Sequence, residues 1–478
     1  MSKASGFLLF LVFCCGAGLG QIRVSDCDIQ GAINRCKNSC TISIAPGTCR
    51  LPAAITWAGT GKQINLECAG REQTLLICPT GVPCINLDSN SRIAHCDLRG
   101  PAVASASGIV NSGGTTDIVI EDNIIEKSGN MGINTGGSSL RWTIRNNLVQ
   151  NNLEDGIFLA SGTSDSVVAH NIIVNNGSNG IDCNGSENTF QGNVSTSNGL
   201  PGGPIDKNGI LISGIFGGSS ANYNTVVGNE TDYNGGAGIT IRADMGTTAE
   251  YNTVSGNVSH DNSGTSINGD GIAVDGSDLG TYIGNAVVGN TVYHNQRFGL
   301  NVDGQNATTV QDTLVSSNVA VGNGSTGIIL GNPLVQDTLV VNNIVIGNES
   351  AQITDLGTTR SVIAGNKQNT TDAEYDVQYG INIGGGVAPD GTGMKHQSTS
   401  TGSVGPGGSA VVSLTWITPF ADTNYDSQCS VVDPTPAPTA LRIHHIVSLV
   451  ATSVAVEVVN DDTMSAHTGT MSCLGIHQ

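Results

Sequence analysis

Residues 223–234 read YNTVVGNETDYN, and residues 251–262 read YNTVSGNVSHDN. Both place a short apolar run ahead of an Asn and a second Asn five residues further on. With Asn229 and Asn257 as anchors, the same frame recurs at Asn123, Asn147, Asn171, Asn193, Asn290, Asn318, Asn343 and Asn366. Three residues ahead of every anchor, from Ile120 to Ile363, the side chain is apolar, and mostly β-branched. Five residues past the anchor, eight of the ten are Asn again. A Gly followed by Ile or Leu completes each unit, as at Gly209, Gly238, Gly271 and Gly299.

The unit length runs from 22 to 36 residues. A period in that range, built from short β-type runs and Gly/Asn turns, is the mark of a solenoid. The Leu framework of leucine-rich repeats is missing, and a propeller blade needs about 40 residues. Three short strands per coil predict a parallel β-helix. Asn suits its turns by tolerating left-handed backbone and by bonding its amide to the Asn of the next coil, about 4.8 Å away. Each such bond stabilises by about 0.5–1.5 kcal/mol. The asparagines are therefore expected to be ladders rather than ligands.

The chain opens with MSKASGFLLFLVFCCGAGLG, one lysine ahead of an apolar run and then small residues. This predicts a secretory signal over residues 1–20 and a secreted or cell-surface protein. Past it stand eleven cysteines, eight of them within residues 27–96. An even cluster in an exported chain predicts disulfides, with connectivity left open. The formal net charge of −20 argues against a nucleic-acid partner, and no later apolar run is long enough to span a membrane.

The stretch DIQGAINRCKNSCTISIAPGTCRL (28–51), followed by KQINLECAG (62–70), resembles the capping helix and first coils of the pectin-lyase-like right-handed β-helix superfamily. The repeat block is similar to that superfamily's generic β-helix repeats. The resemblance implies an all-β fold: a disulfide-rich cap and first coils over 21–100, then right-handed parallel β-helix repeats over 101–385. Activity is not implied, since the superfamily holds lyases, hydrolases, epimerases and non-catalytic adhesins. Neither the Gly-His-Gly and Arg-Ile-Lys motifs of polygalacturonases nor the Asp-Pro-His-Glu of alginate epimerases is present. After a Gly/Ser-rich stretch at 386–408, read as a linker, five alternating segments over 409–478 predict a small β-sandwich stapled by Cys429 and Cys473.

Loop lengths point to a cleft. From the second Asn to the Gly the usual distance is four residues, but it is eleven at 198–209 and nine at 262–271. From the Gly to the next anchor it rises to 20, 19, 19 and 19 for the coils starting at Gly209, Gly238, Gly271 and Gly299. Both walls rise over the same four coils, as a binding groove for a polysaccharide requires. Strand parity then sends the first and third residues after each Gly inward, Cys183 among them as a core thiol. The fourth residues, Ser213, Arg242, Asp275 and Asp303, point outward in one lane. Arg beside two carboxylates suggests catalysis, with Ca²⁺ held by Asp275 and Asp303 to neutralise an acidic polysaccharide, and Arg242 or Lys207 as base of a lyase. Lys207 and Asp270 on the walls complete the candidate set, with His260, His294 and Arg297 beyond them. The alternatives are a lyase or hydrolase on one side, and on the other a non-catalytic β-helix that binds glycan or acts as a surface spacer.

Overall fold

The computed structural model describes residues 20–368 and 394–477, apart from 101–105, 112, 200–206, 215–218, 245, 265–268, 276–278, 305–306, 308, 416–424, 433–440, 451–452 and 461–465. The expected signal, all but Gly20, lies outside the described residues, as do Asp206 and the middle of both expected wall loops.

Each repeat folds into one coil because its three apolar runs are too short to do more than cross one face and turn. In the coil that opens the cleft these strands are Ile210–Gly214, Thr225–Val227 and Glu230–Asp232. Each pairs in parallel with its counterpart one coil on, in the registers Ile210↔Ile239, Val226↔Val254 and Thr231↔Ser259. Stacking builds three long sheets, of 12, 14 and 13 strands among the described residues. They are termed here sheets I, II and III, in the order the coil visits them. The fixed registers let inward side chains from all three sheets meet as a continuous core. Phe190, Val226 and Val254 are fully buried, like their equivalents from Ile120 to Val340. Ile363, in the last coil among the described residues, is 37% exposed.

The turn between sheets II and III carries the expected ladder. Each anchor donates from Nδ2 to Oδ1 of the next, from Asn123 to Asn366, at 2.8–3.0 Å. A second ladder runs from Asn152 to Asn348 at 2.8–3.1 Å. A third, not among the expected ladders, links Asn188, Asn224, Asn252 and Asn285. It was visible in the opening motif, whose Asn224 and Asn252 sit five residues ahead of the anchors. One expectation is corrected. The ladder asparagines are not themselves left-handed; the residue before each is, as at Asp122, His170, Gly228, Gly256 and Ser317. The left-handed residue makes the corner, and the Asn beyond it is then free to aim its amide along the helix axis.

At the N-terminal end the helix Ile29–Arg35, capped by Asp28 accepting from the Gly31 N–H at 2.9 Å, buries Ile29, Ala32 and Ile33 over the first coil. The eight clustered cysteines pair as Cys27–Cys49, Cys36–Cys40, Cys68–Cys96 and Cys78–Cys84. Cys96 stands where the next coil carries its anchor, and its N–H donates to Asn123 Oδ1 at 2.9 Å. The disulfide lane thus passes directly into the first Asn ladder.

The C-terminal module is a β-sandwich of two antiparallel three-stranded sheets sharing one apolar core, with Cys429 bonded to Cys473. Its first strand, Met394–Val404, pairs along Thr470–Ile476 and lies inside the stretch expected to be linker. Composition misleads there: alternating Ser and Thr of MKHQSTSTGSV satisfy an edge strand as well as a tether. Among the described residues no helix is long and apolar enough to cross a membrane.

Candidate functional site

Parity holds on sheet I. Ile210, Ile212, Ile239, Ile241, Ile272, Val274, Leu300 and Val302 belong to the core, while the fourth residues face outward. Register places Ser213 beside Arg242 and Asp275 beside Asp303, in one lane across four coils. Cys183 is the expected buried thiol, its pKa pushed up to about 12 by burial. The lane is far less solvated than a surface row. Ser213 is 1% exposed, its neighbours Leu211, Thr240, Ala273 and Asn301 are buried, and Asp275 is only partly exposed.

The charges on this floor are unevenly partnered. Arg242 grips Asp244 with Nε to Oδ1 and an Nη to Oδ2, both at 2.9 Å. Arg297 grips Asp270 in the same forked way, and Asp270 also accepts from the Phe298 N–H at 3.2 Å and Asn301 Nδ2 at 3.0 Å. Asp303 accepts from Asn332 Nδ2 at 2.9 Å. Burial raises its pKa, against the pull of Arg297 and the Gly304 N–H. Asp275 alone receives no hydrogen bond among the described residues. Burial first, then the facing carboxylates of Asp303 and Asp270, push it up to about 7 despite Arg297 and Arg242. Two more atoms on the floor, Ser213 Oγ and Asn301 Oδ1, are buried without a hydrogen-bond partner among the described residues. Orphaned polar atoms beside a protonatable acid are what a floor awaiting a hydroxylated ligand presents.

Arg242, Asp275, Asp303, Asp270 and Arg297 are therefore brought together. Lys207 instead packs on the turn glycines Gly199, Gly235 and Gly236, between sheets III and I. His260 and His294 gather on the outer side of sheet III. The sequence signal for Arg297 is the Gly271 to Gly299 register, which sets Phe298 opposite Asp270 and Arg297 one residue before it, within reach of the Asp270 carboxylate. The second wall holds a short added sheet of Thr281–Ile283, Thr309–Gln311 and Val335–Gln336. Tyr282 from that wall is fully buried, and its hydroxyl donates to the Ala243 carbonyl at 3.0 Å, tying the wall to the floor strand.

A family model described as right-handed β-helix region matches residues 78–214. The A-module of the Azotobacter vinelandii mannuronan C-5 epimerase AlgE4 superposes with a TM-score of 0.53 at 16% identity, over 74% of this chain and 98% of that one. The catalytic domain of a GH87 α-1,3-glucanase in complex with nigerose superposes with a TM-score of 0.52 at 17% identity, over 73% of this chain and 68% of that one. The solenoid is a right-handed parallel β-helix. Comparison with curated protein sequences gives no match. At such identities the β-helix neighbours share the scaffold, and function has to be argued from the floor itself.

Proposed function

We propose that the protein is a secreted glycan-cleaving enzyme that binds a polysaccharide along sheet I, over the coils from Ile210 to Asp303. The observation that supports this most is Asp275, a carboxyl held near pKa 7 with no hydrogen bond among the described residues, facing the outer side of the floor. A carboxylic acid that keeps its proton near neutrality is the group needed to protonate a glycosidic oxygen. In the step proposed, Asp275 gives its proton to the bridging oxygen as the bond to the anomeric carbon breaks. Asp303 takes the proton of the water that attacks that carbon. Asp270, already filled by four donors, positions Arg297 and Asn301 rather than reacting.

Hydrolysis is favoured over elimination for a physical reason. A lyase base must give up its proton, whereas Arg242 is held as a cation by the forked pair with Asp244. Both guanidiniums at the floor already face carboxylates, so a neutral glycan suits the site better than a polyuronate. A Ca²⁺ ion on Asp275 and Asp303 would reverse that preference, and the test therefore includes it. Purified protein is offered neutral glucans and polyuronates, with and without Ca²⁺, while reducing ends and unsaturated uronates are followed. The expected outcome is reducing ends from a neutral glycan, without unsaturated product or a Ca²⁺ requirement. Unsaturated product only with Ca²⁺ would replace this reading by the lyase. Binding without any product would leave a glycan-binding β-helix.

A further inference from the structure

On the outer side of sheet III, well apart in sequence register from the floor lane, two successive coils place Glu230, Asp232 and His260 together. Their ligating atoms all lie within 4.8 Å of one another, the single such group of three among the described residues. Asp232 and His260 share one register position on paired strands. Both point away from the solenoid core, since Thr231 and Ser259 between them point in. Yet Asp232 is fully buried and His260 is 2% exposed.

The imidazole is held in a particular way. Its Nδ1 lies 2.8 Å from Asp261 Oδ2, and its ring stacks on Tyr293 with centroids 4.6 Å apart and planes 8° from parallel. That leaves Nε2 directed at Glu230, 3.4 Å from Oε1. An imidazole anchored at one nitrogen by a carboxylate, with the other nitrogen aimed at further carboxylates, is the arrangement by which proteins orient a histidine ligand toward a metal. Three carboxylates, Glu230, Asp232 and Asp261, surround one imidazole. A second imidazole, His294, stands 3.9 Å from Asp261 on its other oxygen, so the carboxylates Glu230 and Asp232 are the ones gathered at His260 Nε2.

We infer that Glu230, Asp232 and His260 form a site for a first-row transition dication such as Zn²⁺ or Mn²⁺, clamping two adjacent coils, with Asp261 as a positioning residue. On binding, the metal takes the Nε2 lone pair, and any proton carried there passes to solvent. One nitrogen and two carboxylate donors favour such an ion over Ca²⁺, which takes six to eight oxygens. The partly exposed Glu230 gives the ion its route in.

The full chain, stripped with a chelator and dialysed, is titrated with Zn²⁺, Mn²⁺ and Ca²⁺ by calorimetry, and metal content is read by mass spectrometry. One equivalent of Zn²⁺ or Mn²⁺ per chain is expected, with a rise in melting temperature. Binding should weaken at least tenfold in Glu230→Gln and Asp232→Asn, and about tenfold in Asp261→Asn. Asp275→Asn, on sheet I, should bind as the unaltered chain does. Glu230→Gln removes a ligand at the partly exposed edge, so its fold survives if that of Asp232→Asn does not. No bound transition dication, binding of Ca²⁺ alone, or unchanged affinity in a folded Glu230→Gln chain overturns the site.

Discussion

Two lanes run along the same coils, and they are built on opposite plans. The anchor lane repeats one residue ten times, from Asn123 to Asn366, and every member satisfies the next. The floor lane of sheet I keeps no single residue, running Ser213, Arg242, Asp275, Asp303, and leaves one acid without a hydrogen-bond partner among the described residues. Identity from coil to coil serves the stack, because an amide at 4.8 Å spacing bonds best to its own kind. Departure from identity has no such rationale. It places two carboxylates side by side in a partly desolvated groove, where burial and the like charge both work against ionisation of Asp275.

The contrast is broken most sharply at Asp275. Asp275→Asn should lower kcat on the cleaved glycan by about 10²–10⁴-fold, the usual loss with a general acid. In the unaltered chain, the proposed activity should fall as pH rises through about 7, because the proposed working form is protonated. A rate that climbs through that range would remove Asp275 from the role. Ladder substitutions should do the reverse. Asn257→Leu takes from the buried Asn229 N–H its acceptor and from Val226 O and Asn290 Oδ1 the Asn257 Nδ2 donor, and should cost on the order of 1–3 kcal/mol in denaturant melts, with kcat kept wherever the coil remains folded.

Smaller effects sharpen the same divide. The folded state raises the pKa of Asp275, so the proton binds the native chain more tightly than the unfolded one. That stabilisation is complete below the ordinary carboxylate range and is lost as pH rises toward about 7. Asp275→Asn should therefore stabilise the fold at pH 8, by on the order of 1–2 kcal/mol in denaturant melts, and not at pH 4. Asn at any ladder position never behaves so. Ser213→Ala removes a buried orphan hydroxyl and should leave stability within about 1 kcal/mol of the original or slightly above it, while KM for the glycan rises a few-fold.

The fold was legible because its rules are short-ranged and repeated. Val226, Val254 and Asn229 carry the same message, and one error among ten copies does not mislead. The floor was legible as far as parity reaches, which placed Arg242, Asp275 and Asp303 in one lane. What parity does not carry is partnership. That Arg242 turns to Asp244, that Arg297 crosses to Asp270 and that Lys207 settles on turn glycines depend on contacts between loops of different length. The burial of Asp232 and His260 was equally hidden, since both stand at outward positions where alternation predicts solvent. Asp275 too stands at an outward position where alternation predicts solvent, and its burial does not follow from parity.

The passage from Cys68–Cys96 into Asn123 gives the stack a direction. In a solenoid each coil is held only by its neighbours, so coils come and go at the ends. One end is closed by covalent bonds and a helix, whereas in the last coil among the described residues, at Val362–Ala364, even the inward residue Ile363 is open. Loss of structure should then advance like an unzipping from residue 366 toward Cys96, and amide exchange should be graded along the axis, fastest at the late coils. The groove over 210–303 stands six strands of sheet I from the sealed end and two from the last described one, so it should loosen soon after the late coils and well before the disulfide-bonded ones.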